Sequence, residues 1–504
     1  MKFNLQDLGE PDLEFGSGGL NIDPKVGLFE YGPFGSDIGE IEPRILRIGL
    51  VGLSTQIESI KKWFSRLEKP ILNKEKNVLR FREFPGTTSA FHCKFVIPDV
   101  FTRQIDPATH EIASRGDARN AFDELLELYK NSVKSLFGDT RPDCVLVFFP
   151  EEIASLRITN PRLTAAEQKV LERARMEEES LQMSLFEPSE DELRTAAELL
   201  PQSEELLFRS FHRALKATCM TIANAVPIQV IRRHTFIDAE AKQSSATRAW
   251  NLSLALYYKS GNIPWRPHGL TKDTCYVGIS FHHLKRRSGD LVYASVANAF
   301  SNELEPFILK GATIPRDQVT EKTRQPYLTK DQAGGLISQV VDDYEDRFGT
   351  RPARVVVHKT SRYHSGEEAG LREALLSRVS ACELVWIAPT GFRLVRRGSF
   401  REPLRGTLCG VEDSHTYLYT TGFIPWWDEY PGPHIPAPIE IGTCGESELA
   451  ERASEILALT KMNWNSTDGI GRYPITVQFA RKVGAIMTEL DEDTEPNPLY
   501  RFYM

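Results

Sequence analysis

At 504 residues, with 41% hydrophobic and 26% charged side chains, the chain has the composition of a folded protein of about two or three domains. Disordered and fibrous classes are excluded. Its 61 Lys and Arg against 69 Asp and Glu give a net charge of −8, which excludes a histone-like polycation but permits a local basic groove. The seven cysteines form no C-x-x-C pair, so zinc-ribbon and thioredoxin readings lack support, and a reducing cytosol is the expected compartment. The opening MKFNLQDLGEPDLEFG has no basic stretch followed by an apolar run, so it does not read as a signal peptide. Apolar runs such as VLVFF are strand-length, too short for a transmembrane helix.

Residues 1–43, rich in Gly, Pro, Asp and Glu, read as an irregular arm lying on something larger. RILRIGLVG (44–52) reads as the first strand and QIESIKKWFSRL as the helix after it. KFVIPDV (94–100) and DCVLVFFPEE (143–152) read as further strands, with an amphipathic helix over 118–137 between them. This alternation predicts a parallel sheet with helices on its faces. The segment 163–200 is strongly charged and reads as helical.

A second block begins near 270. TCYVGISF (274–281) and LVYASVANAF (291–300), joined by the basic HHLKRRSGD, predict an antiparallel pair. A helix over 331–349, a strand over 353–361, a helix from GEEAGLREALLSRV and the strand CELVWIAP follow. That order is the order of an RNase H-like fold.

The first chemical cluster spans 208–265. His212 and Lys216 stand four apart in a helical stretch and so share a face. VPIQVI presents Gln229 on a strand, and a helix carrying Asn251 ends at Lys259 with Gly261 just beyond. Several donors with compensating positive charge are what a phosphate cradle needs. The pattern H-x3-K, then P-x-Q-V-I, then N-x7-K-x-G-x-x-P-W resembles the MID domain of prokaryotic Argonautes. The resemblance implies that His212, Lys216, Gln229 and Lys259 hold the 5′ phosphate of a guide. It also implies that Trp265 matches the tryptophan of the family's glycine-rich segment, read here as SGNIPW, and that Asn251 and Trp265 lie along the nucleic-acid backbone.

LALTKMNWNSTDGIGRYPITVQFARKVGAIM (457–487) resembles the last helical region of a PIWI domain. The end, NPLYRFYM, resembles an Argonaute tail, whose carboxylate, at Met504, would share Mg²⁺ with the guide's 5′ end. The expected architecture is α/β: an arm (1–43), a Rossmann-like MID domain (44–268) and an RNase H-like PIWI domain (269–504), without N or PAZ domains. A slicer of this family holds two Mg²⁺ ions with carboxylates. At the corresponding places this chain has Ser280, Thr360 and Asn463 or Asn465, all neutral. Asp290 and Asp413 are nearby in sequence but follow a turn and a different strand. No nuclease activity is therefore expected. Lys285, Arg286, Arg287, His358, Lys359, Arg362, Arg393, Arg396, Arg397 and Arg401 are candidates to grip guide or target phosphates, the RLVRRGSFR set on a hairpin. The aromatic run 423–436 reads as a loop on the core or a partner surface.

The resemblance to short Argonautes implies a cytoplasmic defence sensor. It binds guide RNA, pairs it with single-stranded target DNA and activates an APAZ-domain effector, a TIR or sirtuin-like NAD-degrading domain or a nuclease, with NAD depletion and abortive infection as the outcome. Two alternatives are a guided nuclease with non-standard ligands and an α/β enzyme with a nucleotide cofactor, invited by IGLVGLSTQ. A structural scaffold that binds no guide is a third.

Overall fold

The computed structural model describes residues 3–37, 42–114, 118–149, 210–285, 291–301, 306–314, 318, 325–412, 415–432, 435–445, 447–490 and 494–504. The charged segment 163–200, Arg286, Arg287, Asp290, Asp413 and the side chain of Lys285 lie outside the described residues.

Two sheets organise the chain. In the first, β4 (Arg44–Leu53) pairs in parallel with β5 (Cys93–Val96) along one half and with β6 (Thr102–Ile105) along the other. On its far side stand β7 (Cys144–Phe148) and β8 (Ile228–Ile231), also parallel. The five residues of β7 are all buried, as expected of a parallel strand covered on both faces. The helices Ser54–Arg66 and Ser245–Lys259 pack on one face. Ala118–Lys134 and Phe211–Met220 pack on the other. This is a Rossmann-like arrangement. The strand expected over 94–100 ends at Val96: Pro98 interrupts the ladder, Asp99–Phe101 forms a 3-10 turn, and β6 begins only at Thr102. Gly49 and Gly52 lie inside β4, and a Cβ on Gly52 would press on Phe148 Cβ at 3.0 Å. They serve strand packing and form no phosphate-cradling loop, which removes the sequence support for a nucleotide-cofactor enzyme.

The second sheet has nine strands. Its centre is β10 (Thr274–Lys285), antiparallel to β11 (Leu291–Ser301), which pairs with β12 (Phe307–Ile314). On the other side of β10, β13 (Arg354–Lys359) and β14 (Ala381–Pro389) run parallel to it. The order β12-β11-β10-β13-β14 is the 3-2-1-4-5 order of an RNase H-like sheet. It continues through β17 (Ile439–Cys444), β16 (His415–Leu418) and β15 (Thr407–Val411) to β1 (Phe3–Asp7). The helices Lys330–Phe348 and Ser365–Leu375 cover one face. Leu449–Leu459 and the segment Ile475–Met487 cover the other. Gly278 permits this: a Cβ there would meet the Thr476 carbonyl oxygen at 1.9 Å. RLVRRGSFR lies on a loop between β14 and β15, not on a hairpin, since residues 391–401 enter no ladder.

The arm is more ordered than its composition implies. Besides β1, it supplies β2 (Leu13–Glu14) and β3 (Leu20–Asn21), which form a small sheet with β9 (Arg266–Pro267). It also supplies the helix Pro24–Tyr31, capped by Asp23 through the backbone N–H groups of Lys25 and Val26. Its anchor is Glu10. The carboxylate accepts from Arg405 Nε at 2.8 Å and pairs with Lys461 Nζ at 2.7 Å, both cations being fully buried. Lys461 also donates to the carbonyls of Pro11 and Ile22.

Glu10→Gln leaves two buried cations with no anion between them. The expected loss is about 3–5 kcal/mol of stability, read as a lowered denaturation midpoint. Adding Lys461→Met should recover part of it.

Candidate functional site

Helix Phe211–Met220 buries Phe211 and Leu215 against the first sheet, and its i, i+4 spacing brings His212 and Lys216 onto a shared face. In β8, Ile228 and Ile231 face the core and Gln229 stands between them, partly buried. Helix Ser245–Lys259 starts on Ser244, whose hydroxyl accepts from the Thr247 N–H. It ends at Lys259, and Gly261 then turns the chain at φ +88°, where a Cβ would lie 2.5 Å from the Arg501 guanidinium. The tail Tyr500–Phe502 is a 3-10 turn whose residues are largely buried.

These elements bring the sequence-chosen residues together. Lys259 Nζ donates to the Ile228 carbonyl at 2.8 Å and to Gln229 Oε1 at 2.6 Å. Lys216 Nζ donates to the main-chain oxygen of Met504 at 2.5 Å and lies 3.4 Å from that of Tyr503. Burial pulls Lys259 down to about 7, and Lys482 adds to the effect. Lys216 is held well below its ordinary range by burial, then by Lys259 and Lys482. His212 is reached by solvent but stands in a recess. The surrounding protein, then Lys216, Lys259, Arg232 and Arg213, holds its imidazole well below the usual value.

Lys482, on helix Ala480–Met487, was missed in the sequence. Its ammonium lies 4.8 Å from the Phe479 ring centre; the side chain is exposed to solvent, and the protein crowded around its base lowers its pKa. The available signal was a lone lysine beside the buried Phe479, Val483 and Ile486. Among the described residues, Lys216, Lys259 and Lys482 form no ion pair with a side-chain carboxylate. Neighbouring Glu489 is engaged by Arg213 at 3.7 Å and by the Ser210 N–H. Cations gathered without a side-chain carboxylate are what an anion-binding site requires. The same arrangement does not fit a resident Mg²⁺. The Met504 oxygen is already taken by an ammonium, and further cations surround it.

Other chosen residues fall elsewhere. Trp265 is fully buried, donates to the Lys461 carbonyl at 3.0 Å and packs near Phe15, so it cannot touch a nucleic-acid backbone. Asn251 lies eight residues, about 12 Å of helix, before Lys259, and its side-chain oxygen accepts from Thr467 N and Oγ1. Lys359 is buried on Glu367 at 2.6 Å, which removes it from any surface groove. His358 is buried with Nδ1 2.8 Å from Thr476 Oγ1. Arg362 is exposed over the Trp386 ring at 4.5 Å. Arg393, Arg396, Arg397 and Arg401 are exposed on the 391–401 loop. Arg396 pairs with Glu402 and Arg401 with Asp428, whereas Arg393 donates to carbonyl oxygens alone. In the aromatic run, Trp427 is buried under Arg80, so its own chain occupies it.

Ser280 is buried on the face of β10 that carries Tyr276, and Thr360 follows the last residue of β13. Asn463 Oδ1 accepts from the Asn465 N–H. Asp468, the one acid between 457 and 474, is held by Lys25 and Arg80. Among the described residues, no group of three or more His, Cys, Asp or Glu could hold a metal ion.

The architecture has clear counterparts. Clostridium butyricum Argonaute, in a structure bound to a guide DNA (5′ deoxycytidine) and a 19-mer target DNA, superposes with a TM-score of 0.62 at 15% identity, covering 99% of this chain and 55% of that one. The chain has the MID–PIWI fold of prokaryotic Argonautes. An Aa-Ago structure with externally bound siRNA gives a TM-score of 0.56 at 16% identity, covering 100% of this chain and 56% of that one. The Aquifex aeolicus protein gives 0.53 at 15%, covering 100% and 57%. This chain thus spans a little over half the length of the Argonautes it matches. No family model matches the sequence, and no curated protein does.

The depressed Lys259 pKa has a stability consequence. Between about 7 in the folded chain and about 10.4 in the unfolded one, the unfolded state binds more protons. Stability should therefore rise with pH across that window and level off above it. Denaturation midpoints at pH 7 to 10 should show this rise in the wild type and lose its Lys259 component in Lys259→Met.

Proposed function

We propose that this protein is the guide-binding subunit of a prokaryotic defence system. It holds a 5′-phosphorylated guide, RNA in this reading, and pairs it with single-stranded DNA. An associated APAZ-domain effector, such as a TIR or sirtuin-like NADase, responds. The observation that carries the reading is the gathering of Lys216, Lys259 and Lys482 with no side-chain carboxylate paired to them among the described residues, beside Gln229 and His212.

A terminal phosphate supplies the missing charge. It accepts from the ammonium groups and from the Gln229 amide, and its approach restores the protonated state of both buried lysines. No divalent ion is required, because the cations already outnumber the anions. Guide loading should therefore persist in EDTA. Sequence recognition then comes from base pairing, and arginines of the 391–401 loop add contacts to phosphates that carry no sequence information. In this reading the second sheet cradles the duplex and does not cut it. Ser280, Thr360 and Asn463 bring no charge to hold two mutually repelling Mg²⁺ ions.

Charge-assisted hydrogen bonds contribute about 1.5–3 kcal/mol each. Lys216→Ala or Lys259→Ala should thus weaken binding of a 5′-phosphate guide about 10- to 100-fold and leave a 5′-hydroxyl guide nearly unchanged. Filter binding with both guides, in RNA and DNA form, checks this. Equal effects on the two guides would remove the phosphate assignment. Incubating loaded protein with an end-labelled matched target in Mg²⁺ or Mn²⁺ should yield no product. A cut opposite the middle of the guide, lost in Ser280→Ala, would reverse the nuclease reading.

A further inference from the structure

We propose that the loop 391–401 is a stacking site for an unpaired nucleotide: Phe400 takes the flat face of a base, and Arg393 and Arg397 take the phosphates beside it. The inference rests on the reading of the chain as a nucleic-acid binder, and it concerns a place on the other sheet from the lysine cluster.

The loop joins β14 to β15 and is fixed at both limbs. On the first limb the Phe392 ring stacks on Tyr417 at 4.3 Å, and the Leu394 N–H donates to the hydroxyl of buried Tyr419 at 2.6 Å. On the second, the Tyr430 hydroxyl donates to the Glu402 carbonyl at 2.8 Å, and the Arg401 N–H donates to Ser399 Oγ at 3.3 Å. The Arg396–Glu402 pair, at 2.9 Å, ties the limbs together. At the tip the Ser399 N–H donates to the Arg396 carbonyl at 3.3 Å, and Gly398, at φ +78°, supplies the left-handed residue the turn needs. A loop held in this way still leaves Phe400 90% and Val395 70% exposed. No large apolar side chain among the described residues is more exposed than Phe400.

Ring and charge together select the occupant. Residues 390–402 carry four arginines and one acid, Glu402. The neighbouring turn adds Asp428 and Glu429. Arg396 takes Glu402, Arg401 takes Asp428 and Arg80 takes Glu429. Arg393 donates to the carbonyls of Ile435 and Gly391 alone, and Arg397 has no partner among the described residues. A single strand of nucleic acid offers base faces to the ring and phosphates to these two guanidiniums. A base inside a duplex shows its faces only to its neighbours, so the ring selects an unpaired or terminal nucleotide. A lipid surface would gain little area from two apolar side chains.

The probe is a single-stranded oligothymidylate with a 5′ hydroxyl and one iodouracil, added to the full chain, with its blunt duplex as control. Irradiation should cross-link the iodouracil to Phe400, located by mass spectrometry of the peptides. Phe400→Ala and Phe400→Leu should each weaken single-strand binding about 5- to 100-fold. Phe400→Trp should keep it, and the duplex should bind all three variants alike. Arg397→Gln should lower the log–log salt slope for the single strand by about 0.7. Because Phe400 lies in solvent, thermal midpoints should match the wild type. The preference for a 5′-phosphate over a 5′-hydroxyl strand, which reports the lysine cluster, should be the same in Phe400→Ala as in the wild type. That preference kept, with single-strand binding undiminished in Phe400→Ala, would overturn this proposal alone. A wild type without the preference but with the Phe400 losses would remove the guide reading and support this one. Three further results would overturn it: Phe400→Leu binding as tightly as the wild type, cross-links that miss Phe400, and binding to anionic phospholipid vesicles that Phe400→Ala abolishes.

Discussion

An ammonium taken out of water is costly, and among the described residues five are buried: Lys25, Lys216, Lys259, Lys359 and Lys461. Three are neutralised by carboxylates, Asp468, Glu367 and Glu10 respectively. Two of them, Lys25–Asp468 and Lys461–Glu10, fasten remote parts of the chain, and Lys359–Glu367 closes the short connection after β13. Lys216 and Lys259 are treated otherwise. Among the described residues they are held by main-chain oxygens and the Gln229 amide, with no side-chain carboxylate, and Lys259 lowers the proton affinity of Lys216. The contrast within one molecule sets the place of these two lysines apart from structural charge burial.

The two sheets are built to hold that place. One continuous core includes residues of both sheets, from Ile48 and Leu146 to Val356, Val385 and Ile441. The arm then crosses from one to the other: β1 sits in the large sheet, while β2 pairs with β9 immediately after the SGNIPW turn. Glu10 lies between these contacts. Segments that read as loose in composition are therefore among the most heavily anchored.

Much of this was legible in the sequence where local spacing carries the information. His212 and Lys216 are one helical turn apart, and β10, β11, β13 and β14 show as apolar runs in the order of an RNase H-like fold, whereas β12 gave no such signal. Pairings over long sequence distances were not legible. Nothing near Phe3 signals a partner at Val411, and nothing near Lys482 signals Lys216. Trp265 and Lys359 show the opposite error. Each belongs to a residue type that nucleic acid favours, but burial assigns Trp265 to the core and Glu367 claims Lys359. Residue type is visible in a sequence, whereas solvent exposure is a property of the assembled fold.

The segment 497–504 has a mechanical consequence. One end is hydrogen-bonded to the edge of β12, and the other presents the Met504 oxygen to Lys216. It is a short strut, stiffened by a 3-10 turn and by the Tyr503 hydroxyl donating to the Asn497 carbonyl. An anion that draws Lys216 away from Met504 relaxes one end of the strut while the other stays fixed. One short segment thus links the outermost strand of the large sheet to a buried lysine in the other half of the molecule.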